Sequence, residues 1–250
     1  MKKYKISVIT VTLNSEKYIE RCIKSVQEQT YQNLEHIIID GKSTDNTINI
    51  IEKYKKKISK IVSENDNGIW DAMNKGIKNS HGDIICFLNS DDIFYPKALE
   101  IVNFYFNNHN IDFLFGAVKK YKIMHGYKKW KIKWSFGFYS SHSVGFFIKR
   151  NQHINVGYYN SSFLSADLDF FYKMIVNYKL KGMATKKNEV LGSFEKGGFS
   201  SKINYIDHLR DLNNIRIHNK QSKFFVYLIF LFKILKKPMK FLKSLKKHDY

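Results

Sequence analysis

The chain is short of the groups that mark several common functions. It has two cysteines in 250 residues, Cys22 and Cys86, far apart and each in apolar surroundings. That excludes a disulfide scaffold. With no CxxC and no Cys/His cluster it also gives no zinc site, and both residues read as reduced core thiols. No GxGxxG follows the first β-prone run and no GxxxxGK[ST] occurs, which argues against a dinucleotide fold and a phosphate loop. The apolar run of the tail, Phe224 to Phe232, is nine residues long; a membrane-spanning helix needs about 20. The N-terminus, Met1-Lys-Lys-Tyr-Lys-Ile-Ser, lacks the apolar core and cleavage site of a signal peptide, which predicts a cytoplasmic location. Carboxylates are scarce as well: 22 Asp and Glu face 42 Lys and Arg, for a net charge of +20.

That excess points to anionic partners: nucleic acid, phosphorylated small molecules or an anionic membrane surface. It is unevenly spread. Lys119 to Lys133 holds seven lysines and no acid, and Lys220 to Tyr250 holds nine lysines and one acid, Asp249. A hydrophobic content of 44% with 16% aromatics is ample for a core, and the length suits one large α/β domain or a domain with a small appendage.

The N-terminal third alternates strand and helix. Ile6-Ser-Val-Ile-Thr-Val-Thr is a β-branched run. Tyr18, Ile19, Cys22, Ile23 and Val26 keep helical spacing, with Asn14 or Ser15 as the expected cap. Leu34-Glu-His-Ile-Ile-Ile is a second strand ending at Asp40. A helix is expected from Asn46 to about Lys57, capped by Ser43 or Thr44. Lys60-Ile-Val-Ser is a third strand, Gly68 to Lys78 a loop and helix, and Ile84 to Leu88 a fourth strand. Such alternation implies a mainly parallel sheet with helices on both faces.

Polar residues recur at the ends of these strands: Thr12 and Asn14 after the first, Asp40 after the second, Glu64, Asp66 and Asn67 after the third, Asp91 and Asp92 after the fourth. In a parallel sheet these ends lie on one edge, where open α/β sheets bind ligands. The run Ile84-Ile-Cys-Phe-Leu-Asn-Ser-Asp-Asp92 aims two adjacent carboxylates at that rim. Paired Asp oxygens suit Mg²⁺ or Mn²⁺ bridging to a substrate diphosphate. Each residue alone also fits an ordinary turn; four successive strand ends are harder to explain that way.

Ser7-Val-Ile-Thr-Val-Thr-Leu-Asn, Ser25-Val-Gln-Glu-Gln-Thr-Tyr, Ile38-Ile-Asp-Gly-Lys-Ser-Thr-Asp-Asn-Thr, Asn67-Gly-Ile-Trp-Asp-Ala-Met-Asn-Lys-Gly and Phe87-Leu-Asn-Ser-Asp-Asp together resemble family-2 glycosyltransferases of the bacterial polysaccharide type. The resemblance is strong over residues 5–95 and continues more weakly through Ser165-Ala-Asp-Leu-Asp-Phe-Phe. It implies a GT-A fold and a nucleotide-diphosphate sugar donor, with UDP expected. On it, Thr12, Asn14 and Asp40 surround base and ribose, Asp91 lies near ribose and sugar, Asp92 holds a Mn²⁺ or Mg²⁺ ion on the diphosphate, and Asp66 and Asn74 lie near the donor. The chain departs from the pattern where Gly41 replaces a second carboxylate, Lys42 a common glycine, and Asn89 a third Asp.

Displacement at an anomeric carbon also needs a base for the acceptor hydroxyl. Asp167 aligns best with the acidic motif that supplies it in the resembling family, Asp169 second; capping of a helix from Leu168 to Tyr178 is the alternative role for Asp167. His142 falls where related proteins carry a polar acceptor-site residue. Residues 113–150 read as strands and loops completing the sheet on the acceptor side, and Trp130 and Trp134 offer aromatic faces to a sugar or lipid. In the tail, Phe224, Leu228, Leu231, Leu235, Met239, Leu242 and Leu245 keep helical spacing, lysines lie mostly between them, and Pro238 predicts a kink. That pattern is an interfacial amphipathic helix or a helix packed on the domain.

The resulting expectation is a GT-A domain over 1–215, donor half 1–110 and acceptor half 111–215, followed by a basic amphipathic membrane-associating tail, 216–250. It would be an inverting, metal-dependent enzyme transferring a hexosyl or N-acetylhexosaminyl group to a saccharide or polyprenyl-diphosphate-linked acceptor. It would act peripherally on the inner face of the plasma membrane, without nucleic acid. Two alternatives stand beside it: a catalytically silent membrane scaffold on the same fold, and a basic nucleic-acid-binding protein. The last is disfavoured by the lack of a helix-turn-helix or RNA-binding motif.

Overall fold

The computed structural model describes residues 2–134, 143–194 and 203–245. Four parallel strands come first: β1 (Ile6–Thr12), β2 (Leu34–Asp40), β3 (Lys60–Ser63) and β4 (Ile84–Phe87). They are joined by α1 (Ile19–Gln27), α2 (Thr47–Lys53) and α3 (Ile69–Lys78). Next along the chain are the short β5 (Ile93–Phe94) and α4 (Ala98–Asn108). The central sheet is completed by β6 (Phe113–Phe115), β9 (Phe146–Lys149) and β10 (Gly182–Ala184), in the order β10-β6-β9-β4-β1-β2-β3. Only β9 runs against its neighbours. A second, four-stranded sheet joins β5, β11 (Val190–Ser193), β7 (Ala117–Lys119) and β8 (Ile123–Met124).

Alternation along the strands explains the layers. Ile9, Ile37, Ile39, Ile85 and Phe87 face α3 and, through Phe170 and Phe171, α6 (Ala166–Tyr172). Ile6, Val8, Ile84, Cys86 and Leu88 face α1 and α4 through Cys22, Val26, Leu99 and Val102. A strand buried on both faces reads as a continuous apolar run, which is why β1, β2 and β4 were legible. Cys22 and Cys86 are free, buried core thiols, and burial pushes Cys22 up to about 12. Helix α3 lies so close to β1 that a Cβ at Gly76 would stand 2.2 Å from Ile9 Cγ2.

The chain runs outward from β1 through β2 to β3, then returns to place β4 on the other side of β1. Neighbouring crossovers therefore diverge between β1 and β4, and open α/β sheets take ligands at the carboxyl ends of the strands at such a switch point.

Several boundaries differ from expectation. No side chain caps α1 or α2: Asn14 and Ser43 spend their polar groups on each other's loops, and Ser15 bonds elsewhere. Helix α2 stops at Lys53, and Lys55–Lys57, with no buried residue, forms a separate 3₁₀ turn. Helix α6 begins at Ala166, so Asp167 sits in its first turn rather than at its cap, and widens into a π turn over Lys173–Asn177.

The remaining helices are α5 (Arg150–Val156), α7 (Tyr205–His218), α8 (Lys223–Lys236) and α9 (Pro238–Leu245). The expected boundary at 215 falls inside α7. Pro238 opens α9 instead of kinking a continuous helix, because the first turn tolerates its missing N–H. The tail docks on α7: Tyr205 Oη donates to the Lys233 carbonyl and Asn204 Nδ2 to that of Ser244, both at 3.2 Å. Much of its apolar surface still faces out, since Val226 is the one buried residue of α8. No helix among the described residues is long and apolar enough to cross a membrane.

Candidate active site

The four strand ends are tied into one rim. Thr12 and Asp40 stand opposite each other at the ends of β1 and β2, as do Asp40 and Ser63 on β2 and β3. The Gly41 N–H donates to the Thr12 carbonyl (2.9 Å), and the Glu64 N–H to that of Asp40 (3.0 Å). Asn14, in the left-handed region at φ 49°, receives the Thr44 N–H on Oδ1 (2.8 Å) and gives its own N–H to Ser43 Oγ (2.8 Å). Ser90 Oγ donates to Ser15 Oγ at 2.8 Å, closing β4 against β1.

Within this rim Asp40 is fully buried, and its carboxylate accepts from the Ser43 N–H, Ser43 Oγ and Ser63 Oγ. It therefore braces the pocket wall from inside. Asp66 reaches the same corner: a Cβ on Gly41 would lie 2.4 Å from its Oδ2. Thr12 Oγ1 and Asn89 Oδ1 are buried without a hydrogen-bond partner among the described residues. Unpartnered polar atoms at the β1 and β4 ends are what a polar ligand seated at the switch point would satisfy.

The Asp91–Asp92 pair turns sharply, with the Asp92 N–H on the Asn89 carbonyl (3.0 Å) and Arg21 Nη2 on the Asp91 carbonyl (2.7 Å). Arg21 reaches this turn from α1, far along the chain from Asp91. Burial separates the two acids: Asp92 is 2% exposed and Asp91 half-buried. A cation shared with a diphosphate keeps several water and phosphate ligands and takes one or two protein carboxylates. Asp91 is the more open of the two, and Asp92, expected from the sequence to hold the metal, lies directly beside it. No group of three His, Cys, Asp or Glu residues able to hold a metal occurs among the described residues. One or two carboxylates without a protein cage fit a Mg²⁺ or Mn²⁺ ion that arrives with a substrate's phosphates.

A second acidic cluster lies at the start of α6. Burial, with a smaller like-charge contribution from Asp211, pushes the Asp167 carboxyl up to about 6. Asp169 is 1% exposed, pairs with Lys173 Nζ at 2.7 Å and accepts from Asn219 Nδ2 at 2.7 Å. With its oxygens so engaged it holds α6 to α7, and Asp167 is left as the candidate base. Asp211 was missed in the sequence. On α7, it accepts the N–H groups of Leu164 (3.0 Å) and Ser165 (2.8 Å), fixing the turn from which Asp167 emerges. Asn74 exchanges two hydrogen bonds with the backbone of Tyr159, each 2.9 Å. Trp70, one turn earlier on α3, donates to the Leu164 carbonyl (3.2 Å) and packs on the Tyr159 ring. The 67–76 block thus clamps the segment leading to Asp167. His142 lies outside the described residues.

Comparison with known proteins gives a consistent picture. The model of the family described as Glycosyl transferase family 2 matches residues 7–173. Poly(ribitol-phosphate) β-N-acetylglucosaminyltransferase TarS of Staphylococcus aureus is 33% identical over 120 residues, 46% of this chain and 21% of TarS. The Escherichia coli UDP-Glc:α-D-GlcNAc-diphosphoundecaprenol β-1,3-glucosyltransferase WfgD is 35% identical over 117 residues, 46% of each chain. The aligned stretch therefore spans between about a fifth and under half of these relatives. Among solved structures, S. aureus TarS 1-349 in complex with UDP-GlcNAc superimposes with a TM-score of 0.70 at 20% identity, over 90% of this chain and 70% of that one. A mannosyltransferase from Pyrobaculum calidifontis, in complex with GDP-Man and Mn²⁺, gives 0.69 at 15% identity, over 98% and 74%. At these identities the likeness to the solved structures is one of fold.

Proposed function

We propose that this chain, which belongs to glycosyl transferase family 2 and has its α/β GT-A fold, transfers a sugar with inversion from a UDP-linked donor to a saccharide or polyprenyl-diphosphate-linked acceptor. The observation that carries the reading is the single bonded rim formed by the ends of β1, β2, β3 and β4 at the switch point of the sheet. Thr12, Asn14, Asp40 and Asp66 line or brace its nucleotide side. Asp92, with the more open Asp91 beside it, would hold a Mn²⁺ or Mg²⁺ ion. Such an ion, when bound, neutralises charge on the departing diphosphate.

The remaining work falls to the protein's own groups. An acceptor hydroxyl attacks the anomeric carbon from the face opposite the leaving group, and its proton passes to the Asp167 carboxylate. With a pKa of about 6 this carboxyl is mostly ionised at neutral pH yet basic enough to take a proton. Asp211, Asn74 and Trp70 hold the backbone around it.

The two named curated relatives suggest a cell-envelope polymer or lipid-linked glycan as acceptor. The basic tail, with its outward apolar residues, supports a peripheral position on an anionic cytoplasmic membrane face. A panel of nucleotide sugars with Mn²⁺, read by thermal shift and then by turnover, tests the reading. It fails if no nucleotide sugar stabilises the protein. Deleting residues 222–250 tests the tail, since binding to anionic vesicles should be lost.

A further inference from the structure

A cavity of about 900 Å³ opens beside the segment 127–134, away from the strand-end rim. Its lining holds Lys128, Lys129, Lys133 and Lys179 with Trp130 and Trp134, and no carboxylate among the described residues. Ile175 and Val176 also line it, which puts it roughly 13 Å along the helix axis from Asp167, at about 1.5 Å per residue. It is a separate place from the candidate active site.

We propose that this cavity, together with helix α8, is a binding surface for phosphate headgroups of an anionic membrane, seating the enzyme through a built pocket as well as its tail. The proposal rests on the membrane-associated reading above and names the site that reading lacks.

Three observations join the cavity to the tail. Trp134 meets Phe225 of α8 edge-on at 4.7 Å between ring centroids. Arg216 Nη1 and Gln221 Nε2 both donate to the Lys133 carbonyl at 2.7 Å, locking the cavity wall to the corner between α7 and α8. Lys233 of α8 stands near Arg216 and Lys237 at this corner; burial, and to a lesser degree these cations, push it down to about 8.

The chemistry of the surface selects the occupant. Trp130 is 65% and Trp134 57% exposed, while on α8 Phe224 is 75%, Phe232 64% and Leu235 68% exposed. Tryptophan is favoured at the membrane interface, where its ring lies among acyl chains and headgroups. Lysines beside apolar anchors suit lipid phosphates at the same depth. A nucleic acid would satisfy the lysines but would leave the Phe and Leu side chains of α8 in water.

The test uses the full chain, without nucleotide, in flotation on vesicles of phosphatidylcholine with and without phosphatidylglycerol. The variant Lys128→Gln/Lys129→Gln/Lys179→Gln leaves the tail intact. A control triple, Lys53→Gln/Lys56→Gln/Lys57→Gln, removes equal charge from exposed positions at the end of α2. The cavity variant should bind anionic vesicles roughly a hundredfold more weakly, with the control within about threefold of wild type and nucleotide-sugar stabilisation unchanged in both. Equal weakening of the two triples would reduce the effect to diffuse charge and overturn the proposal. So would a cavity variant that keeps vesicle binding, whether or not it loses binding to duplex DNA. Failure of the glycosyltransferase reading would show only in the nucleotide-sugar assays, so the two failures are distinguishable.

Discussion

The Asp211 carboxylate holds Ser165: Oδ2 accepts the Ser165 N–H at 2.8 Å while Oδ1 accepts that of Leu164 at 3.0 Å. Asp211 is 7% exposed and belongs to α7, far along the chain from the turn it fixes. Two residues after Ser165 stands Asp167, which Asp211 also influences as a like charge. One buried acid thus fixes the turn that carries another and adds a small like-charge contribution to a basicity set mainly by burial.

Asp211→Asn follows directly. An amide can accept only one of the two N–H bonds, and an unpaired buried donor costs about 1–3 kcal/mol. We expect kcat to fall about tenfold with donor KM little changed. Losing the like charge should also move the acidic limb of the pH–rate profile below its wild-type inflection near pH 6. A purely structural Asp211 would leave that inflection in place.

Asp167→Asn should separate activity from stability. The rate should fall by about 10²–10⁴. Because burial raises the carboxyl from 3.8 to about 6, the folded state keeps a proton between pH 4 and 6 that the unfolded chain has lost. This contribution to stability is present at low pH and is lost as pH rises through that window. At pH 7 the partly buried charge therefore destabilises the fold, by on the order of 1–3 kcal/mol. The asparagine variant should melt higher than wild type at pH 7, by calorimetry.

Gly41→Ala should damage the nucleotide side. The added Cβ would stand 2.4 Å from Asp66 Oδ2, so the carboxylate must leave its bond to the Gly68 N–H, now 2.9 Å through Oδ1. Donor affinity should weaken about tenfold, read by fluorescence titration of a UDP-sugar, while the melting temperature moves little.

Legibility in the sequence followed burial. Strands β1, β2 and β4, buried on both faces, show themselves as apolar runs, and their polar tips mark the rim. Local contacts also read well, as with Asp167 at the opening of α6. What escaped were bonds between side chains and distant backbone: Arg21 on Asp91, Asp211 on Ser165, Asn74 on Tyr159. A polar residue on a helix face carries the same sequence signal whether it meets water or a carbonyl from another element. The order of exposure within Asp91-Asp92 was hidden for a related reason, because adjacent residues differ only through the turn that orients them. Pro238 opens α9 where a kink is expected, because a proline that interrupts a helix and one that begins it look alike in the sequence.

In the function proposed above, the tips of β1 to β4 hold a nucleotide-diphosphate sugar with a divalent cation at Asp92. Thermal shift with UDP-sugars and Mn²⁺ tests it most directly, since a true ligand stabilises by mass action, by about 2.7 kcal/mol at a hundred times its Kd. Stabilisation by sugar nucleotide and Mn²⁺ together should exceed that by either alone, be lost in Asp92→Asn and be kept in Asp167→Asn. Undiminished stabilisation of Asp92→Asn, or none for the wild type with any nucleotide sugar, would contradict this assignment.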